Sequence, residues 1–151
     1  MKPRLNLFNN PALQPMIKMS ESVENAGLEK SLLELVKMRS SQINHCAFCL
    51  DMHSKDARKH GETEQRLYLL SAWRESPLYS ERERAALAWT EALTLISETQ
   101  APDADYEALK LHFTEEEMVQ LTLMIVTINS WNRIAIGFRQ VHPVEKDRAA
   151  A

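Results

Sequence analysis

Residues 42–53 read Gln-Ile-Asn-His-Cys-Ala-Phe-Cys-Leu-Asp-Met-His and contain both cysteines of the chain, Cys46 and Cys49. Positions three and four apart on an α-helix share one face and lie about 5–6 Å apart. That matches the Cα separation a disulfide needs. His53 follows Cys49 by four residues, and at 3.6 residues per turn Cys46, Cys49 and His53 fall within roughly 60° of arc. The stretch therefore predicts a helix carrying two thiols and an imidazole as one stripe. Cys46 is expected in the first helical turn, where free N–H groups and the helix dipole favour a thiolate, the reactive form. His53 is placed to shuttle the proton. From these residues alone, three readings stand: a redox dithiol, part of a metal site, or two core cysteines.

Outward from this stretch the periodicity is helical nearly throughout. Asn10-Pro11 opens a helix over 10–26, closed before Gly27. Residues 29–43 place Leu32, Leu33, Val36 and Ile43 on one side. The cysteine helix spans 46–60 and stops at His60-Gly61. Thr63 opens a helix to about Arg74, and Pro77 breaks the chain. Ser80 and Glu83 have the spacing of a capping box, opening a helix to about Glu98. A short helix covers about 103–111. A second capping box, Thr114 with Glu117, opens the longest helix, to about Gln140. It is apolar on most sides, so it is expected at the centre or against another subunit. Gly137 is expected inside it, at a close helix crossing. The tail from Lys146 is expected to fray.

The predicted fold is therefore all-α, about six to seven helices in one domain over 1–151. Its redox core spans about 29–100 and its packing helix about 114–140. A chain of 151 residues can bury a real core, and three glycines and six prolines leave room for long helices. A net charge of −3 without a Lys/Arg block argues against a nucleic-acid surface. No signal-peptide core or long apolar span is visible, so no membrane is expected and the cytoplasm is the expected compartment. There, two cysteines three apart point to redox or metal chemistry rather than a permanent staple.

Glu34, Ser41-Gln42-Ile43-Asn44, Cys46-Ala47-Phe48-Cys49 and His53 together resemble the signature of the AhpD-like alkylhydroperoxidases of the carboxymuconolactone decarboxylase superfamily. Glu34 lies twelve residues before Cys46, and His53 four after Cys49, as in that family. The likeness covers about residues 29–100, and more loosely the segment from Asn129 to Arg133. It implies an all-helical fold assembled as a trimer or hexamer. It also implies that Cys49 attacks a peroxide, Cys46 resolves the product to a disulfide, and Glu34 and His53 relay protons. An outside dithiol, a lipoyl group or a thioredoxin-like protein, would reset the pair. Phe48 stands where well-studied peroxidases of the family carry a second histidine, which predicts a shorter relay and a lower rate or a different substrate.

No cofactor is expected. A zinc site would need a fourth ligand from His45 or Glu34 and has no second cysteine pair to draw on. Burial beside the thiols is expected to raise the Glu34 pKa, as suits a general base. His45 reads as a surface or helix-capping residue, and His60 as a partner for a helix C-terminus. Gln42 and Asn44 read as capping or helix-joining groups. Trp73, Trp89 and Trp131 read as core or subunit contacts. Asn132 and Arg133 fit polar contacts either to the site or between subunits. Two alternatives to the peroxidase are a decarboxylase-type enzyme of the same superfamily and a non-enzymatic redox-sensing or partner-binding oligomer.

Overall fold

The computed structural model describes residues 2–7 and 9–144; the tail expected to fray lies outside these. Asn10 caps a 3₁₀ turn, Pro11–Leu13, by accepting the Ala12 N–H at 3.0 Å. The turn runs into α1 (Gln14–Glu24), and Gly27 follows in the left-handed region at φ 122°. Next come α2 (Lys30–Ile43), α3 (Ala47–Lys59) and α4 (Glu64–Leu69), the last prolonged by a 3₁₀ turn over Leu70–Ala72. The second half holds α5 (Glu81–Thr94), α6 (Ile96–Thr99), α7 (Asp103–Lys110) and α8 (Glu115–Gly137). Among the described residues there is no strand.

Both capping boxes form. Ser80 accepts the Glu83 N–H while Glu83 accepts the Ser80 N–H, and Thr114 and Glu117 do the same. Among the described residues eight helices stand where six or seven were expected, because the run over 80–98 divides at Leu95. Leu95 leaves helical geometry (φ −103°, ψ 35°), and the Thr99 hydroxyl donates to the Ala92 carbonyl at the break (2.6 Å). Gln100 and Ala101, both at positive φ, then turn the chain away. Gly137 ends α8 rather than lying inside it, and a Cβ there would meet nothing within 4 Å. No close helix crossing uses it.

The central element is α2, packed against α3, α5 and α8. One side feeds Leu32, Leu33 and Val36 into a core with Val23, Ala86, Leu109, Leu121 and Ile125. The opposite side feeds Leu35 and Met38 into a second core with Ala57, Leu70, Trp73 and Leu87. Each fully buried leucine contributes about 1.5–3 kcal/mol. Such burial on both flanks fixes the rotation of α2 and turns Glu34, Lys37 and Ser41 toward α3, α1 and α8. All three are buried polar residues, as is Ser40 beside them. The longest helix, α8, is packed on α1, α2, α3, α5 and α7 yet leaves Val119, Leu123, Val126 and Ile136 exposed.

Candidate active site

The end of α2 sets the position of the first cysteine. His45 adopts the left-handed region (φ 56°), its N–H donating to the Gln42 carbonyl and the Cys46 N–H to the Ser41 carbonyl. These bonds form the C-terminal motif that normally places glycine at the left-handed position. His45 is exposed and serves as this turn residue, in keeping with its expected capping role. Asn44 links helices: its side-chain amide donates to Oδ1 of both Asn129 and Asn132 on α8, each at 2.9 Å. Gln42 instead pairs with Arg39 on its own helix (3.0 Å).

Cys46 is the N-cap of α3, in extended geometry (φ −87°, ψ 92°), one residue outside the first turn expected for it. Its sulfur accepts the Cys49 N–H at 3.4 Å, the bond an N-cap oxygen usually makes. Cys46 and Cys49 are both buried with free thiols. They cluster with Ala135 of α8 and with Phe48. Asn132 is fully buried beside them; its amide donates to Ser41 Oγ at 3.0 Å and also meets both sulfurs. That settles Asn132 as a residue of the site. Arg133 donates to the Asn129 carbonyl and Oδ1.

The sulfurs differ in environment. The Cys46 thiol is pulled down from 9.0 to about 7, first because the Cys49 thiol donates to it. Burial opposes this, while the N–H groups of Cys49 and Phe48 and the Asn132 amide assist. Cys49 is pushed up, by that same bond to Cys46, by burial and by the charge on its neighbour. The pair therefore loses one proton readily, holds the second tightly, and rests with its thiolate at Cys46.

Beside the pair lies a cavity of about 310 Å³. Cys49 and His53 open onto it from α3; Cys46 does not. Leu13 of the first 3₁₀ turn, Ile17 of α1, Met52 of α3, and Ile128 and Trp131 of α8 make most of the wall apolar. Trp131, expected as a core or subunit contact, is thus a wall of this space. Phe48 lines it as well.

Glu34 and His53, paired by the family resemblance, lie side by side. His53 Nδ1 lies 3.5 Å from Glu34 Oε2, and neither buried atom has a closer hydrogen-bond partner. His60 adds a second imidazole 3.8 Å from Oε1. The backbone N–H of His60 caps the end of α3, the role expected of that position.

Lys37, one turn along α2, was not singled out by sequence. It is 5% exposed, lines the cavity, and donates to Glu34 Oε1 at 2.7 Å and Glu24 Oε1 at 2.9 Å. Its signal was a Glu-x-x-Lys pair within the run Leu32–Met38, whose other residues are all apolar. His53 and this lysine together reverse the expected direction at Glu34. Burial is the largest influence and would raise the carboxyl, but His53 and Lys37 together hold it below the ordinary 4.5. At 2.7 Å against 3.5 Å, Lys37 is the firmer partner. Glu34 is therefore an ionised carboxylate at neutral pH. Among the described residues, no group of three or more His, Cys, Asp or Glu side chains is arranged to hold a metal ion.

Comparison with known proteins places this geometry. A model of the Carboxymuconolactone decarboxylase family matches residues 12–92. The uncharacterized protein YdfG of Bacillus subtilis is 49% identical over 122 residues, 81% of this chain and 83% of that protein. The alkyl hydroperoxide reductase AhpD of Hyphomonas neptunium is 42% identical over 45 residues, 30% of this chain and 25% of that protein. Among solved structures, a protein of unknown function from Agrobacterium tumefaciens, whose description suggests an antioxidant defence protein AhpD, superposes with a TM-score of 0.92. It is 49% identical, and the match covers 95% of this chain and 100% of that one.

Proposed function

This chain belongs to the carboxymuconolactone decarboxylase family, and on that premise we propose that it is a thiol-dependent peroxidase of the AhpD-like type. The observation that carries the proposal is the shared cavity: Cys49 and His53 open onto one apolar space, with the ionisable Cys46 bonded directly behind Cys49. An organic hydroperoxide fits such a wall.

The steps balance as follows. The proton on Cys49 passes to Cys46 along the contact between them, leaving the thiolate at the sulfur that faces the cavity. That thiolate attacks the outer peroxide oxygen; an S–O bond forms and the O–O bond breaks. The alkoxide takes a proton from His53 and leaves as the alcohol, and Cys49 is now a sulfenic acid. Cys46 attacks the Cys49 sulfur, its proton passing to the sulfenic hydroxyl as the S–O bond breaks. An S–S bond forms, and the hydroxyl departs as water. An external dithiol, lipoyl or thioredoxin-like, returns two electrons by exchange. Glu34, held ionised, steadies the imidazolium of His53 whenever that side chain carries the proton. Phe48 shapes the wall and moves no proton, so the relay runs through His53 and Glu34. A reducing compartment such as the cytoplasm supplies the dithiol.

Peroxide reduction with dithiothreitol or a dihydrolipoyl donor tests the assignment. Turnover is expected from the wild type and its loss from Cys49→Ser. Full turnover by that variant would overturn Cys49 as the attacking residue.

A further inference from the structure

We propose that Lys37 is a positioning residue of this site: it bridges Glu34 and Glu24, holds Glu34 as the carboxylate that faces His53, and fastens helix α1 over the cavity. The geometry is specific. The Lys37 ammonium sits between two carboxylate oxygens, 2.7 Å from Glu34 and 2.9 Å from Glu24. The Glu34 and Lys37 side chains are 4% and 6% exposed, so water screens little of their attraction. Glu34 gives one oxygen to Lys37 and turns the other, which has no hydrogen-bond partner, toward the equally unpartnered Nδ1 of His53. The lysine thus fixes which oxygen the imidazole sees.

Glu24 is the last residue of α1. Together with Ile17 and Ser20, and Leu13 of the turn before α1, Glu24 forms this side of the cavity. One ammonium therefore joins the wall of the substrate space to the proton relay.

The ionisable groups around Glu34 are Lys37 on α2, His53 on α3, His60 just beyond α3, and Glu24 of α1 across Lys37. From α8 the cavity wall is Met124, Thr127, Ile128, Trp131, Ile134 and Ala135, none of them charged. On α5, Glu91 is engaged by Arg39, Arg74 and Trp73. Lys37 is the fixed cation of the group, and without it burial of Glu34 is opposed by the imidazoles alone.

The test reads the carboxyl directly. Carbon-13 NMR of protein labelled at the glutamate carboxyls follows Glu34 through pH, with Glu34→Gln identifying its resonance. In the wild type it is expected to titrate below 4.5, and in Lys37→Met to move above that value. The acid limb of the kcat/KM profile is expected to move upward in the same variant. Glu24→Gln frees Lys37 from its second carboxylate, so Glu34 is expected to stay low while the KM for a bulky hydroperoxide changes. A folded Lys37→Met protein whose Glu34 resonance is unmoved would overturn the proposal. So would an equal upward displacement in Glu24→Gln, which would point to packing of α1 rather than charge. Should Lys37→Met not fold, Lys37→Gln removes the charge, keeps a donor, and is read in the same way. The kinetic limb rests on the peroxidase reading; the titration is made on resting protein, so the two fail separately.

Discussion

Two sulfurs that share one proton govern the chemistry of this site. Helical register brought Cys46, Cys49 and His53 together in the sequence, and the family resemblance added Glu34 from the preceding helix. That reading did not reveal which sulfur would ionise. That depends on Cys46 leaving the helix to become its N-cap and on Asn132 arriving from α8. Nor did it reveal the sign at Glu34, since Lys37 reads as an ordinary solvated lysine until α1 covers it. The thiols make a direct prediction. Absorbance of thiolate near 240 nm should rise by one thiol per chain around pH 7, with the second thiol ionising far into the alkaline range. In Cys46→Ser, Cys49 should ionise at lower pH than in the wild type, having lost the partner that raises it. No change would contradict the shared-proton account. The linkage has a defined sign. Between about 7 and 9 the folded chain has released a proton that unfolded Cys46 retains, so stability rises with pH in that window. Above 9 the reluctance of Cys49 offsets the gain.

Helix boundaries were legible wherever a side chain closes them. Ser80, Thr114 and Thr63 each accept the N–H three residues on, and Gly27 and Gly61 take the left-handed positions that favour glycine. The division at Leu95 was not legible, because it depends on the Thr99 hydroxyl reaching back to Ala92 and on Thr94 bonding Ser40 and Asn129 across the interior. The capping boxes carry a prediction at this scale. Thr114→Ala removes the acceptor for the Glu117 N–H and should cost about 1 kcal/mol in urea unfolding, with the thiol titration unchanged. A stability equal to that of the wild type would show that Glu117, also held by Arg82, secures the start of α8 unaided.

The cavity exists only in the assembled molecule. Its walls come from α1, α2, α3 and α8, and the polar network behind Cys46 joins Ser41 and Asn44 to Asn129 and Asn132, some ninety residues away. No local pattern announces a space bounded by residues so far apart; the apolar excess of α8 pointed only to a central place or a subunit contact. Part of that excess remains outside, with Val119, Leu123 and Val126 along one exposed side of the helix. We expect copies of the chain to associate, as the family likeness implies; light scattering at micromolar concentration should give a mass of at least three chains, and a stable monomer would remove this expectation. The central claim is that the pair is a peroxide-reducing dithiol with Cys49 attacking and Cys46 resolving. Its most direct test is stopped-flow mixing of the reduced chain with one equivalent of cumene hydroperoxide, followed by mass mapping of the thiols. The account predicts one Cys46–Cys49 disulfide per peroxide consumed in the wild type, and a sulfenic acid trapped at Cys49 in Cys46→Ser. A wild-type chain that leaves the peroxide unconsumed and both thiols reduced would contradict it.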